Sequence, residues 1–190
     1  LRVERLFLRA NPVKLRLEDI TAEAKEIAFV EPEIEINRVL AQGPVRDYRV
    51  DGPIAVTLSY YRAGTDVFLE GRLQANTVAT CARCAEDFSG ANHREFRLVM
   101  AAKSVGIETD PGLRADDLEF SMYEGDEIDL APLVREQLLL ALPTRPLCHD
   151  DCRGLCPQCG IDLNRGECRC ETARPDPRLA VLRSLKIVRN

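Results

Sequence analysis

The sequence lacks tryptophan and has only four tyrosines, six phenylalanines and two histidines in 190 residues. So few aromatics leave few platforms on which bases could stack. Two histidines are a poor supply for catalytic zinc, which commonly takes His or Glu and keeps one position open. Positive charge is not in excess either: 26 Lys and Arg face 31 Asp and Glu, for a net charge of −5. That balance argues against binding nucleic acid through bulk electrostatics. No apolar run reaches the roughly 18 residues of a membrane span, and the N-terminus has no signal-peptide layout. The expectation is a cytoplasmic chain that touches no membrane. Also missing are a recognisable pair of catalytic carboxylates, a Ser/His/Asp order and a Gly-rich phosphate loop. The chain therefore reads as a non-enzyme, with no small-molecule substrate expected.

What is present in unusual amount is cysteine, eight residues in all. Cys81-Ala-Arg-Cys84 stands alone, whereas Cys148, Cys152, Cys156, Cys159, Cys168 and Cys170 crowd one stretch. A chain of this length can build a core without staples, and nothing marks it for export, so reduced thiols and metal are expected rather than disulfides. The strongest unit is Gly154-Leu-Cys-Pro-Gln-Cys-Gly160. A Cys-x-x-Cys turn brings two thiolates onto one cation; its proline fixes φ, and the glycine after it lets the backbone swing around the metal. Cys168-Arg-Cys170 follows. Cys156, Cys159, Cys168 and Cys170 thus supply the four soft ligands of a closed, tetrahedral zinc site. A second zinc site can be assembled from Cys81, Cys84, Cys148 and Cys152, joining the middle of the chain to its C-terminal part. Spacing alone also allows other divisions of these thiols, or one site with spare cysteines. His149 follows Cys148 directly and either replaces a cysteine as ligand or is a plain loop residue. A redox pair is the competing reading of a CxxC.

Val13, Leu15 and Leu17 alternate with polar residues, a strand pattern, while 19 to 42, broken by Pro32, support no assignment. From Ile54 the alternation is clean: Ile54, Val56, Leu58 and Tyr60 share one face. A turn at Ala63-Gly-Thr-Asp66 leads to a second run with Val67, Leu69 and Leu73 inward, and a third carries Phe96, Leu98 and Met100. Residues 50 to 102 therefore read as a three-stranded meander with the Cys81–Cys84 knuckle at one turn. His93 falls on its solvated face.

Residues 108 to 129 are acidic, either a solvated loop or a contact surface for a basic partner such as a ribosomal protein. Asp129-Leu-Ala-Pro132 is a helix start. Leu130, Leu133, Val134, Gln137, Leu138 and Ala141 keep a helical period, and Leu139 and Leu140 widen the stripe, so a nearly buried helix is expected over 131–142. Pro143 and Pro146 stop it and aim the chain at the cysteines. Asp176-Pro177 starts a C-terminal helix with Val181, Leu182, Leu185 and Val188 on one face. This end is locally basic. Arg165 and Arg169 lie at the cysteines, where they either offset thiolate charge or touch phosphate, and Arg178, Arg183 and Lys186 are candidate partner-binding residues. The expected architecture is α+β, an antiparallel sheet meander packed by helices with a C-terminal Cys-rich zinc module. Residues 1–147 form the core domain, and 148–190 form the module and C-terminal helix packed on it.

These motifs occur in a telling order: Cys81-Ala-Arg-Cys84, Asp126-Glu-Ile-Asp-Leu130, Val134-Arg-Glu-Gln-Leu-Leu-Leu-Ala-Leu-Pro143, Pro146-Leu-Cys148, Cys152-Arg-Gly-Leu-Cys-Pro-Gln-Cys-Gly160, Asp162-Leu-Asn164 and Asp176-Pro-Arg-Leu-Ala-Val-Leu-Arg-Ser-Leu-Lys186. Together, over residues 50 to 186, they resemble the YceD-type proteins, the large ribosomal RNA subunit accumulation proteins. The resemblance implies a bacterial or plastid factor for normal accumulation of large-subunit rRNA, with no catalytic activity. Its partner would be large-subunit rRNA, a large-subunit ribosomal protein, or both. Members of that family differ in whether they keep the C-terminal cysteines, which suits a structural role for zinc there. The alternative is a redox- or zinc-responsive regulatory protein that uses the CxxC and CxC thiols.

Overall fold

The computed structural model describes residues 14–43, 47–103 and 119–170. Its elements are β1 (Lys14–Arg16), a 3-10 turn (Leu17–Asp19), β2 (Lys25–Glu31), α1 (Glu33–Gln42), β3 (Tyr48–Val50), β4 (Ile54–Ala63), β5 (Asp66–Thr80), β6 (Asp87–Ala102), β7 (Glu119–Tyr123), β8 (Glu127–Asp129) and α2 (Leu130–Ala141). The class is α+β. The main sheet runs β2-β4-β5-β6-β7, with β3 paired to β5, and a small ribbon joins β1 to β8. All pairs are antiparallel except β6 with β7, which is parallel.

The meander follows directly from the period-two pattern. Ile54, Val56, Leu58 and Tyr60 of β4 are all buried, as are Val67, Leu69 and Leu73 of β5 and Phe96, Leu98 and Met100 of β6. Between Leu69 and Leu73 the inward position is Gly71, paired with Phe96 across the ladder. A Cβ there would lie 2.2 Å from the Phe96 ring. The missing side chain is what lets the ring lie over β5, so the gap in the apolar stripe is filled from the neighbouring strand.

The stretch 19–42, which supports no assignment from sequence, forms an edge strand and a helix. Pro32, a breaker by local rules, is the residue before α1, with φ −63° and ψ 144°. Glu33 and Glu35 then sit in the first turn, where the helix dipole favours them, and Ile36 and Leu40 are buried. Asn37 ties α1 to β3 by two backbone bonds, donating to the Val50 carbonyl at 2.9 Å and accepting from the Val50 N–H at 2.8 Å.

Helix α2 lies over β5 and β6. The Asp129 carboxylate caps it by accepting from the Ala131 N–H at 3.0 Å. Leu130, Leu133, Val134, Gln137 and Leu138 are buried as their spacing requires. Leu139 and Leu140, however, are 37% and 54% exposed, so the helix is amphipathic rather than nearly buried. A single sheet covers one side of it, and residues one and two positions past Leu138 rotate outward. Buried Gln137 has its own partner, accepting from Arg94 Nε at 2.6 Å.

The two ends that matter for the site meet here. The β5–β6 turn occupies residues 81–86, between the Thr80–Asp87 pair that closes the ladder. Past α2 the chain crosses to it: Tyr48 Oη donates to the Pro143 carbonyl at 2.6 Å, and the Ala82 N–H donates to the Pro146 carbonyl at 2.8 Å. Cys148 is thereby delivered beside the knuckle. The C-terminal helix expected from 176, with Arg178, Arg183 and Lys186, lies outside the described residues, as do 108 to 118 of the acidic stretch.

Candidate metal centres

Two short loops share one backbone pattern. In the first, the Ala85 N–H donates to the Cys81 carbonyl at 2.9 Å, and the Cys81 N–H donates to the Glu86 carbonyl at 2.9 Å. In the second, the Gly160 N–H donates to the Cys156 carbonyl at 2.9 Å, and the Cys156 N–H donates to the Ile161 carbonyl at 2.8 Å. Each loop closes on itself while its two cysteines face one point. The residue after the second cysteine is left-handed in both, Ala85 at φ 58° and Gly160 at φ 73°. Glycine takes that conformation freely; alanine does so at a cost.

The first knuckle meets the chain leaving α2, and Cys81, Cys84, Cys148 and Cys152 converge. Cys156 and Cys159 meet Cys168 and Cys170 in the same way. Within each group all four sulfurs lie within 4.8 Å of one another. Of the divisions that spacing alone allows, this is the one the fold makes. In the first group, Cys81 Sγ and Cys152 Sγ are 3.8 Å apart, and Cys84 Sγ and Cys148 Sγ are 3.7 Å apart. A disulfide would need about 2.05 Å. A tetrahedron with zinc–sulfur bonds of about 2.3 Å has an edge of about 3.8 Å. The sulfurs thus stand at the separation of ligands around one ion, and all eight are free thiols.

Protonation points the same way. Burial raises the Cys81 thiol, but N–H donors from Cys84, Cys148 and Arg83 outweigh it and bring it down to about 6. The Cys159 and Gln158 N–H groups do the same for Cys156, also at about 6. Burial, together with the neighbouring sulfurs of Cys152, Cys81 and Cys84, pushes Cys148 up to about 12. Cys170 is pushed up to about 12 by Cys159 first, then by burial and Cys156. Each group therefore ionises one sulfur readily and resists ionising another, mainly through burial and the hydrogen bonds among its sulfurs. Four converging sulfurs are the donor set that suits a soft, closed metal site.

The two groups differ in exposure. Cys81, Cys84 and Cys152 are buried and packed with Phe88 and Leu147. In the second group Cys156 is buried, Cys159 is exposed, and Cys168 and Cys170 are intermediate. His149 stands beside the first group with Nδ1 3.0 Å from Cys148 Sγ, outside the set of four sulfurs. Arg165 pairs with Glu86 at 3.3 Å and Asp162 at 3.5 Å, whereas Arg169 is exposed.

Sequence reading gave no role to Arg83 or Asn164. Arg83 donates from Nη1 to the carbonyls of Asp150 at 3.0 Å and Cys152 at 2.8 Å. Asn164 donates from Nδ2 to Cys152 Sγ at 3.4 Å. Their positions inside Cys81-Ala-Arg-Cys84 and Asp162-Leu-Asn164 were the available signal.

A sequence model described as large ribosomal RNA subunit accumulation protein YceD matches residues 69–186, more than half of the chain and both cysteine groups. The chain belongs to the YceD family. A YceD relative from Arabidopsis thaliana, the large ribosomal RNA subunit accumulation protein YCED homolog 1, chloroplastic, is 24% identical over 165 residues, covering 75% of this chain and 51% of the relative. Its Zea mays counterpart is 26% identical over 144 residues, covering 63% and 49%. An uncharacterised protein from Mycobacterium tuberculosis is 34% identical over 97 residues, covering 51% and 45%. The chain spans about half the length of the curated relatives it matches. No solved structure matches it. Among the described residues no helix is long and apolar enough to cross a membrane.

Proposed function

We propose that this YceD-family chain is a non-catalytic factor for accumulation of large-subunit rRNA and assembly of the large ribosomal subunit, and that it acts in the cytoplasm as a docking scaffold stiffened by two structural zinc ions. The observation that carries this reading is that four cysteine sulfurs converge in each group, enough to fill the coordination of a tetrahedral ion. Such a site holds structure together rather than activating a reactant. The names of the plant relatives supply the ribosomal context.

The scaffold binds large-subunit rRNA, a large-subunit ribosomal protein, or both. Charge limits the first mode. The chain carries −5, and each Zn(Cys)4 centre is itself formally −2, so RNA contact needs a local patch. Exposed Arg169 and the basic residues Arg178, Arg183 and Lys186 are the candidates for it. Part of the acidic stretch is already engaged within the chain, which weakens its claim as a surface for a basic partner. Glu124 pairs with Lys103, Glu127 with Lys14 and Arg16, and Asp129 caps α2.

The test is purification of the tagged chain from cells, with identification of the RNA and protein that accompany it, followed by binding at rising salt. Phosphate contacts at this patch predict a steep loss of affinity with salt and a further loss in Arg178→Ala/Arg183→Ala/Lys186→Ala. Recovery of neither ribosomal RNA nor a ribosomal protein overturns the reading. The exposure of Cys159 favours a second reading, a redox- or zinc-responsive regulator. It requires mild peroxide to release zinc and alter partner binding together.

A further inference from the structure

The two sulfur groups meet where the chain passes from Cys152 to Cys156, and they do not merely sit side by side. Cys152 closes the first group and Cys156 opens the second. The loop of the second group reaches back across this junction. The Asn164 amide donates to Cys152 Sγ at 3.4 Å, while its Oδ1 accepts from the Arg153 N–H at 2.7 Å. That pair of bonds fixes which end of the amide faces sulfur. Asn164 is itself held by Asp162, whose Oδ1 accepts from both its backbone N–H at 2.9 Å and its Nδ2 at 2.7 Å. Asp162 in turn bridges to Leu155, just before Cys156.

Traffic runs the other way as well. Arg83, between the two cysteines of the first knuckle, accepts at its carbonyl from the Leu155 N–H at 3.0 Å and holds the Cys152 carbonyl with its guanidinium. Arg165 of the second loop pairs with Glu86, at the close of the first knuckle. The second loop thus touches a sulfur of the first group directly, and the first knuckle in turn holds the second loop through the Leu155 N–H and Arg165.

We propose that the two four-sulfur centres load metal as one cooperative unit, with Asn164 of the second loop as the positioning residue for Cys152 of the first. The proposal rests on the reading that each group holds a divalent ion. Closing Cys156, Cys159, Cys168 and Cys170 on a metal orders the loop that carries Asn164. The amide then stabilises the Cys152 thiolate in the first centre, as outer partners of metal ligands do. Linkage makes the effect mutual: filling the first centre orders Arg83 and Cys152 and stabilises the second.

Cobalt(II) under reducing, oxygen-free conditions is the probe, since thiolate-to-cobalt absorption reports each four-sulfur centre. The full chain is expected to release both ions to a chelator in a single phase. Asn164→Ala splits release into two phases, with the first centre losing its ion about tenfold faster. Asn164→Asp separates a sulfur contact from a purely structural role. It keeps the oxygen that accepts from the Arg153 N–H but places negative charge against the sulfur. It is expected to fail to rescue the first centre, whereas rescue would overturn the assignment. A Cys159→Ser/Cys170→Ser chain retains only the first centre and identifies its phase. Its release is expected to be accelerated as in Asn164→Ala, with little further change when the two are combined. Release from the first centre at the full-chain rate in either variant means independent sites and overturns the cooperative unit. Absence of four-sulfur cobalt absorption in the full chain overturns the metal reading itself, and this proposal with it.

Discussion

Gly154 packs directly on the carbonyl of Arg83. A Cβ on Gly154 would stand 2.8 Å from that oxygen, and the residue has φ 74°. The contact leaves no room for a side chain, and the left-handed backbone would strain one. Gly154→Ala is expected to cost about 2 kcal/mol through backbone strain alone. It should also loosen the junction between the two centres, so chelator removes metal faster than from the parent chain. Denaturant unfolding and timed chelation measure the two effects; a variant equal to the parent in both contradicts the close packing.

Metal content follows from the grouping. Cys156→Ser is expected to reduce bound zinc from two ions to one and destabilise the part of the chain around the second centre. Cys81→Ser should remove the ion that ties the β5–β6 turn to the segment after α2, lowering stability further because that link spans distant parts of the chain. Elemental analysis of purified variants gives the stoichiometry, and unchanged zinc in Cys156→Ser refutes the ligand set.

Ala85 holds in the first knuckle the left-handed position that Gly160 holds in the second. Ala85→Gly should relieve strain of about 1 kcal/mol, partly offset by the greater freedom of glycine in the unfolded chain. A small gain in thermal stability is expected, where most substitutions at an ordered turn lose. Gly160→Ala should lose stability, and the opposite signs of the two changes are the check.

Gly71→Val fills the space in which the Phe96 ring lies. The ring must leave the core face of the sheet, at a cost of about 3 kcal/mol. Gly71→Val/Phe96→Ala should recover part of it, because the smaller partner vacates the space. Additive losses in the pair would mean the two residues do not share it.

Glu31 and Arg135 form an ion pair at 3.1 Å, with the Glu31 side chain 8% and the Arg135 side chain 23% exposed. Burial raises the Glu31 carboxyl above the ordinary carboxylate range, Arg135 pulls it back, and Asp129 and Glu35 add to the rise. A raised folded value means that Glu31 favours the fold when protonated, at acid pH. That contribution is lost as pH climbs through the raised value. Arg135→Met removes the opposing pull, so the loss should deepen, to about 2 kcal/mol at neutral pH, and shrink as pH falls. Glu31→Gln/Arg135→Met should remove that pH dependence. Urea midpoints across pH measure it, and a loss equal at all pH values contradicts the assignment.

Local pattern carried much of this molecule. The alternation from Ile54 to Met100 is a property of neighbouring residues, so the three long strands and the knuckle between two of them are legible without the fold. The Asp129 cap and the Leu130–Leu138 stripe are legible for the same reason. Residues 19 to 42 were not, since Pro32 marks a helix start as readily as a break. The outward turn of Leu139 and Leu140 was not legible either, because apolarity does not reveal whether a second layer covers a helix.

The sequence by itself determined that eight thiols come in closely spaced pairs suited to gripping a soft cation, because chain geometry over one to three intervening residues dictates which sulfurs can share a point. Only the tertiary structure decided which pairs face each other. That choice depends on a 15-residue and a 16-residue strand setting the 81–86 turn beside the exit of α2, across more than sixty residues of chain. It depends also on Asn164 and Arg83, whose hydrogen bonds exist only once both loops are folded.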